Sequence, residues 1–156
     1  MLRVSKLTDY ATVVMSHLAV AAHQVHSASE VAQCTGIALP TTSKVLKTLV
    51  RAGLLRSARG QGGGYILARP PEQISVAQIV RSVEGPVGLT ECGSSEGLCV
   101  QESMCSIRSN WQRINQLVLA ALEAMTLADM IRPAATPIRP LARPHAQPGL
   151  IRAGTP

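Results

Sequence analysis

Residues 27–68 read SASEVAQCTGIALPTTSKVLKTLVRAGLLRSARGQGGGYILA, and the fold is decided in this stretch. Ser27 followed three residues later by Glu30 has the form of a capping box, which predicts a short helix running through Thr35. Gly36 is a natural left-handed terminator for it. Cys34, inside this helix, is expected to be buried as a small hydrophobe. After the turn Gly36-Ile37-Ala38-Leu39, Pro40 opens a second helix from the first-turn position where proline is tolerated. That helix is expected to run to Ala52 and to end at Gly53. Val45, Leu46, Leu49 and Val50 make its apolar face, and Thr41, Ser43, Lys44, Lys47 and Arg51 lie largely off it. Two short helices joined by a glycine-led turn form a helix-turn-helix, whose second helix enters a major groove. An ordinary helical hairpin has the same spacing.

The residues that follow separate the two. Leu54-Leu55-Arg56-Ser57-Ala58-Arg59 is extended in pattern, Gly60-Gln61-Gly62-Gly63-Gly64 turns, and Tyr65-Ile66-Leu67-Ala68 is extended again. A two-stranded hairpin directly after a recognition helix is a wing. The glycine run is not a dinucleotide fingerprint, because Tyr65 stands where the third glycine is required. It is not a phosphate loop either, since no Gly-Lys-Ser/Thr follows. A glycine tip carrying Gly62 and Gly63, flanked by Arg56 and Arg59, suits close approach to a DNA backbone or minor groove.

On the N-terminal side, Leu7, Tyr10, Ala11, Val14, Leu18 and Ala21 keep the 3/4 spacing of one helical face, so a helix is expected over residues 7–22 with Ser5 as cap. His17 borders that face as a packed or half-exposed histidine rather than a ligand. On the C-terminal side, Ser75 caps a helix expected over residues 76–84, which Gly85-Pro86 breaks. A loop over residues 91–105 then carries three of the four cysteines, spaced Cys92-x6-Cys99-x5-Cys105. Beyond it, Ile107, Trp111, Ile114, Val118, Ala121 and Met125 are spaced 4, 3, 4, 3, 4, the seam of a coiled coil. Leu117 and Leu122 widen this face. A helix of such length has little of its own domain to cover, so pairing with a second copy is expected. Thr126-Leu127-Ala128-Asp129-Met130 reads as a newly capped turn.

The expected fold is therefore mainly α with a small β-hairpin. Residues 1–86 form a winged helix-turn-helix, 87–105 a cysteine loop, 106–131 a dimerisation helix and 132–156 a disordered basic tail. The charge follows the same divisions. Residues 1–71 hold eight Lys+Arg and two acids, residues 72–131 three bases and seven acids, and residues 132–156 four Arg and no acid. A basic N-terminal block is the footprint of a polyanion partner, here double-stranded DNA. The tail, with six prolines, can bury little and would add only weak, salt-sensitive attraction. Nothing resembles a signal peptide, and no run reaches the roughly 18 apolar residues of a membrane helix. The expectation is a cytoplasmic protein with no membrane partner and no small-molecule substrate. Thiol enzymology is disfavoured, because there is no Cys-x-x-Cys pair and no evident paired base.

In a cytoplasmic chain clustered cysteines point to metal binding or redox chemistry more than to a disulfide framework. Thiolates hold iron–sulfur clusters. Structural zinc favours four Cys/His ligands with at least one short Cys-x2–4-Cys pair, and neither feature is present unless Cys34 joins from afar. Oxidation of simple sensor thiols is the third possibility.

Tyr10, the Gly36-Ile37-Ala38-Leu39-Pro40 turn, Arg59-Gly60-Gln61-Gly62-Gly63-Gly64-Tyr65, the three cysteines, Trp111 and Thr126-Leu127-Ala128-Asp129 together resemble the winged-helix iron–sulfur regulators of the IscR and NsrR kind (Rrf-type). Leu2-Arg3-Val4-Ser5-Lys6-Leu7-Thr8-Asp9-Tyr10-Ala11-Thr12 and Glu84-Gly85-Pro86 are more specific and look like the regulators of SUF-system iron–sulfur cluster assembly. The likeness covers about residues 1–131. It implies a homodimer that controls iron–sulfur assembly genes and carries a cluster, [2Fe–2S] or [4Fe–4S], on Cys92, Cys99 and Cys105. Thr41, Ser43 and Lys44, and Arg59 with the wing tip, would face DNA. One departure bears on the cluster. IscR-like members place a histidine three residues after the last cysteine, and Arg108 occupies that position here. NsrR-like members use an aspartate near the N-terminus that reaches across the dimer, which makes Asp9 of the partner subunit the candidate fourth ligand. A low-molecular-weight thiol or an open iron site are the alternatives.

Overall fold

The computed structural model describes residues 4–60, 62–94, 99–101 and 103–132, with the side chains of Cys92 and Ser94 outside that description. Residues 133–156 of the tail expected over 132–156, and the middle of the cysteine segment, residues 95–98, also lie outside it. Along the chain run α1 (Lys6–Val20), α2 (Ala28–Thr35), α3 (Leu39–Arg51), β1 (Leu55–Ala58), β2 (Gly64–Leu67), a 3-10 turn at Pro71–Gln73, α4 (Val76–Glu84), α5 (Glu91–Ser94), α6 (Arg108–Ala124) and α7 (Leu127–Ile131). Among the described residues no helix is long and apolar enough to cross a membrane.

Local chemistry sets most of the boundaries. Ser5 caps α1 by accepting from the Thr8 N–H, and Ser27 caps α2 by accepting from the Glu30 N–H. The second half of the expected capping box is not made, because the Glu30 carboxylate turns to His26. Ser75 and Gln78 do form a full capping box on α4, as do Thr126 and Asp129 on α7. Gly36 ends α2 at φ 70°, left-handed as its type predicts. The expectation for Cys34 is overturned. Its side chain is exposed, because α2 buries only Val31 and turns Cys34 outward.

The hydrophobic core is aliphatic. Met15, Leu18, Val31, Leu46, Leu49, Leu55, Ile74 and Ile79 are fully or almost fully buried where α1, α2, α3 and α4 meet the base of the hairpin. Truncating Leu46 or Leu49 to alanine would cost about 2–5 kcal/mol in such a core. The two strands pair antiparallel, with Leu55 opposite Leu67 and Ala58 opposite Gly64. Only the Leu55–Leu67 end is buried, so the hairpin projects from the core as a wing.

The C-terminal half is built differently from a free pairing helix. At the end of α6 the chain is sewn back onto the winged unit, with the Val76 N–H donating to Met125 O (2.9 Å) and the Leu127 N–H to Ile74 O (2.7 Å). Leu127 and Ala128 are buried against α1 and the 3-10 turn. The apolar character of α7 thus serves the same core as α1. Along its length α6 touches α4 and α5, and Arg81 of α4 pairs with Glu123 of α6 at 2.9 Å.

Candidate nucleic-acid interface and cysteine segment

The outer face of α3 carries Lys44, Lys47 and Arg51 exposed, with Thr41 and Ser43 half-buried beside them. Thr42 faces inward and donates to Ile37 O (3.1 Å) and Ala38 O (3.3 Å), which closes the turn into the helix. Arg56 and Arg59 are exposed on the first arm of the wing, and Gly62 is exposed at its tip with φ 87°. Gly63 has an internal reason to be glycine. A Cβ there would stand 2.5 Å from Ala58 O, and its N–H donates to Gly60 O (2.9 Å) to close the loop. A cleft of about 200 Å³ between α3 and the wing is lined by Lys47, Arg51, Ser57 and Tyr65. Lys47 and Arg51 of the recognition helix thus border the wing directly, whereas Arg56 lines a separate hollow with Ala22, His23 and Pro70 on the α1 side of the hairpin.

His26 ties the wing to α1 and α2, and no pattern in the sequence announced it. Its N–H donates to Tyr65 O (3.0 Å) and its carbonyl accepts from the Tyr65 N–H (2.8 Å). Its Nδ1 lies 2.9 Å from Glu30 Oε1 on α2. With a carboxylate as acceptor, Nδ1 carries the proton. The hydrogen bond from His26 is the main reason the Glu30 carboxyl lies below its ordinary range. The His26 ring also packs edge-on against His17 of α1, with centroids 5.5 Å apart. His17 is thus a packing residue, as its place on the first helix suggested.

The cysteine segment departs from the expected open loop, since residues 91–94 form the short helix α5 and Cys92 lies on it. Cys99 and Cys105 are half-buried thiols outside any disulfide. The Arg108 N–H donates to Cys105 O (3.3 Å), so Cys105 sits at the entrance to α6, which starts without a side-chain cap. Among the described residues no three His, Cys, Asp or Glu side chains stand together as a metal site. The Cys92 thiol is outside that set.

The segment is held by a residue that sequence reasoning passed over. Asn115 is the buried residue of α6, only 7% exposed. Its Oδ1 accepts from the Leu89 N–H (3.1 Å), and its Nδ2 donates to Gly93 O (3.0 Å) and Val87 O (3.4 Å). A polar residue between Ile114 and Val118 was the available signal, but it reads as the polar flank of an apolar seam.

Of the seam itself, Ile107, Trp111, Ile114, Ala121 and Met125 are exposed and Val118 is half-buried. Val118 and Leu122 line a hollow of about 410 Å³ against Val80, Pro86 and Val87. An adjoining hollow of about 670 Å³ shares Val4, Val80 and Leu122 and is walled by Asp9, which is exposed on α1, and by Met130. At its edge Glu84 accepts from the Ser5 N–H (3.1 Å) and from the Thr8 hydroxyl. The nearby Ser5 side chain first, then the Thr8 hydroxyl and last the Ser5 N–H, hold the Glu84 carboxyl below its ordinary range.

A winged helix-turn-helix with a cationic recognition helix and wing, joined to a cysteine-bearing segment and a long helix, defines a DNA-binding protein of the transcription-factor class. Residues 4–133 match the Rrf2 family, described as iron-dependent transcriptional regulators, and the chain belongs to that family. It is 33% identical over 136 residues to the HTH-type transcriptional regulator IscR of Cereibacter sphaeroides, covering 84% of this chain and 88% of that one. Its fold is similar to that of CymR, the global cysteine regulator of B. subtilis, with a TM-score of 0.67 and 28% identity over 84% of this chain and 97% of that chain. It is also similar to T. potens IscR, with a TM-score of 0.65 and 30% identity over 83% and 86% of the two chains.

Proposed function

We propose that this DNA-binding transcriptional regulator is a homodimer that reads iron–sulfur status in the cytoplasm and controls iron–sulfur assembly genes. Its operator affinity is set by a cluster on Cys92, Cys99 and Cys105. The observation that carries the reading is the position of the cysteine segment. It begins on α5, which is docked on α6, and ends at the uncapped entrance of α6. The positive end of a helix dipole favours an anionic partner such as a thiolate. Three thiols fit an iron–sulfur cluster by donor chemistry, and when bound the cluster supplies a centre responsive to iron, oxygen and nitric oxide. Asp9 of the partner subunit is the proposed fourth ligand. Its support is an exposed place on the wall of a mixed polar and apolar hollow that reaches Leu122 of α6, where a second copy would seat.

Thr41, Ser43, Lys44 and Lys47 would read or flank base edges from α3, while Arg56, Arg59, Gly62 and Gly63 would follow the backbone from the wing. Ile107, Trp111, Ile114, Val118, Ala121 and Met125 would pair the two copies. Half-sites must match the roughly 34 Å turn of DNA, so a small rotation of α6 against the winged units changes affinity. A coupling of about 1–3 kcal/mol corresponds to roughly 5–150-fold.

A nitric-oxide- or redox-sensing repressor on the same scaffold, or a zinc- or thiol-based regulator without a cluster, is the second reading. It is supported by two half-buried free thiols, Cys99 and Cys105, and by the likeness to a cysteine regulator. Anaerobic purification separates the two. Broad absorbance near roughly 400–450 nm, lost together with the change in operator affinity when all three cysteines become alanine, is the expected result. A colourless protein whose operator affinity responds to a thiol oxidant would favour the second reading, and identical affinity with and without reconstituted cluster would sink the first.

A further inference from the structure

We propose that Asn115 is the positioning residue that couples the cysteine segment to the DNA-binding unit. Its hydrogen bonds hold residues 87–93 on α6 whether or not the cysteines carry a ligand. The inference rests on the preceding reading that the state of the cysteines controls DNA affinity.

Three observations converge on this residue. First, all of its side-chain polar atoms are used, and all on main-chain groups of the segment carrying Cys92: the Leu89 N–H, Val87 O and Gly93 O. No thiol takes part in those bonds, so they require no metal. The orientation of the amide is also determined, because two of its partners are carbonyls that need a donor and one is an N–H that needs an acceptor. Second, the approach at Gly93 is close. A Cβ there would stand 3.2 Å from Thr90 Oγ1 and 3.4 Å from Asn115 Cγ, so the segment lies directly on the amide. Third, α6 is rigidly tied to the winged unit at its far end. The Met125–Val76 and Leu127–Ile74 main-chain bonds and the Arg81–Glu123 ion pair make that tie. A displacement of residues 87–93 therefore meets α6 at Asn115 and reaches the start of α4 through the helix.

Buried, fully satisfied polar groups specify one arrangement, and removing one partner leaves the others costly. Asn115→Ala removes the three bonds and leaves a hole. Asn115→Leu fills the volume and leaves the half-buried Leu89 N–H and the two carbonyls without their Asn115 partner. Losing the bond to Leu89 is expected to release that amide by about tenfold or more.

The test follows amide hydrogen exchange and operator affinity in the full chain, metal-free and after anaerobic iron–sulfur reconstitution. In the wild type the Leu89 amide should be protected in both states. In both variants that protection should fall by about tenfold or more, while Leu46 and Leu49 in α3 stay protected and so report an intact winged core. The ratio of operator affinities between reconstituted and metal-free protein should fall toward one. Unchanged protection at Leu89 in either variant overturns the anchoring role. So does a metal-free wild type in which Leu89 is unprotected. A variant that loses Leu89 protection yet keeps the full wild-type affinity ratio overturns the coupling. A wild type whose affinity is the same in both states removes the cluster reading instead, and the exchange at Leu89 still decides whether Asn115 anchors the segment.

Discussion

At the scale of single residues, the DNA-binding surface depends on contacts that carry no charge. Gly64 opens β2 beside His26, and a Cβ on it would stand 2.4 Å from His26 O and 2.7 Å from His26 C. Both are main-chain atoms and neither can swing aside. Gly64→Ala should therefore break the His26–Tyr65 pair and loosen the wing, lowering operator affinity at least several-fold while the melting temperature falls only modestly. Electrophoretic mobility shift and thermal melts read the two effects separately. Glu84 supports a pH prediction. Its folded carboxyl is depressed, so its contribution to stability is complete above the ordinary value of 4.5 and is lost as the pH falls through the lowered value. Glu84→Gln keeps an acceptor oxygen but does not titrate. Denaturant midpoints measured between about pH 6 and pH 3 should fall less steeply for Glu84→Gln than for the wild type.

At the scale of elements, α6 has two apolar sides with different duties. Leu122 and Asn115 face α4 and the cysteine segment, whereas Ile107, Trp111, Ile114, Leu117 and Met125 are exposed. Exposed large apolar side chains gathered on one helix face mark an interaction surface, and the heptad spacing of four of them suits a second α6. Ile114→Glu should convert the protein to a monomer in sedimentation velocity. It should also red-shift the emission of Trp111, the one tryptophan in the chain. Because Ile114 is outside the winged core, the unfolding midpoint extrapolated to low protein concentration should stay within about 1 kcal/mol of the wild type. Retention of a full-strength dimer would place the interface elsewhere.

At the scale of the whole molecule, charge is segregated along the chain, and the fold sets two of the basic residues of α3 against the wing. Arg51 and Lys47 on α3 line a cleft with Ser57 and Tyr65 of the wing. Arg51→Ala should weaken binding to all DNA sequences about equally and reduce the slope of log affinity against log salt by about 1, as for one lost phosphate contact. Lys44→Ala should instead relax preference at a base position. A titration of specific and scrambled duplexes across salt concentrations distinguishes the two.

Much of this architecture is legible in order along the chain, because its determinants are local. Apolar periodicity places α1, α3, α4 and α6, cap residues Ser5, Ser27, Ser75 and Thr126 start their helices, and Gly36 and the glycine run mark the turns. Those signals act within about four residues, the reach of a helical hydrogen bond or a cap. The family membership and the cysteine spacing are equally properties of the linear order. What only the tertiary structure decided depends on contacts between distant residues. Cys34 turned outward because α2 presents a single buried residue, Val31, to its neighbours. Glu30 left its own helix start for His26, which in turn clasps Tyr65, 39 positions further on in the numbering. Leu127 joined the core of α1, and Asn115 reached back 22 to 28 residues to hold the segment that carries Cys92. A periodic pattern states which side of a helix is apolar, but not which neighbour covers it or which buried amide finds a partner. Those depend on packing and hydrogen-bond satisfaction in three dimensions, and in this protein they determine how the cysteine segment is attached to the part that binds DNA.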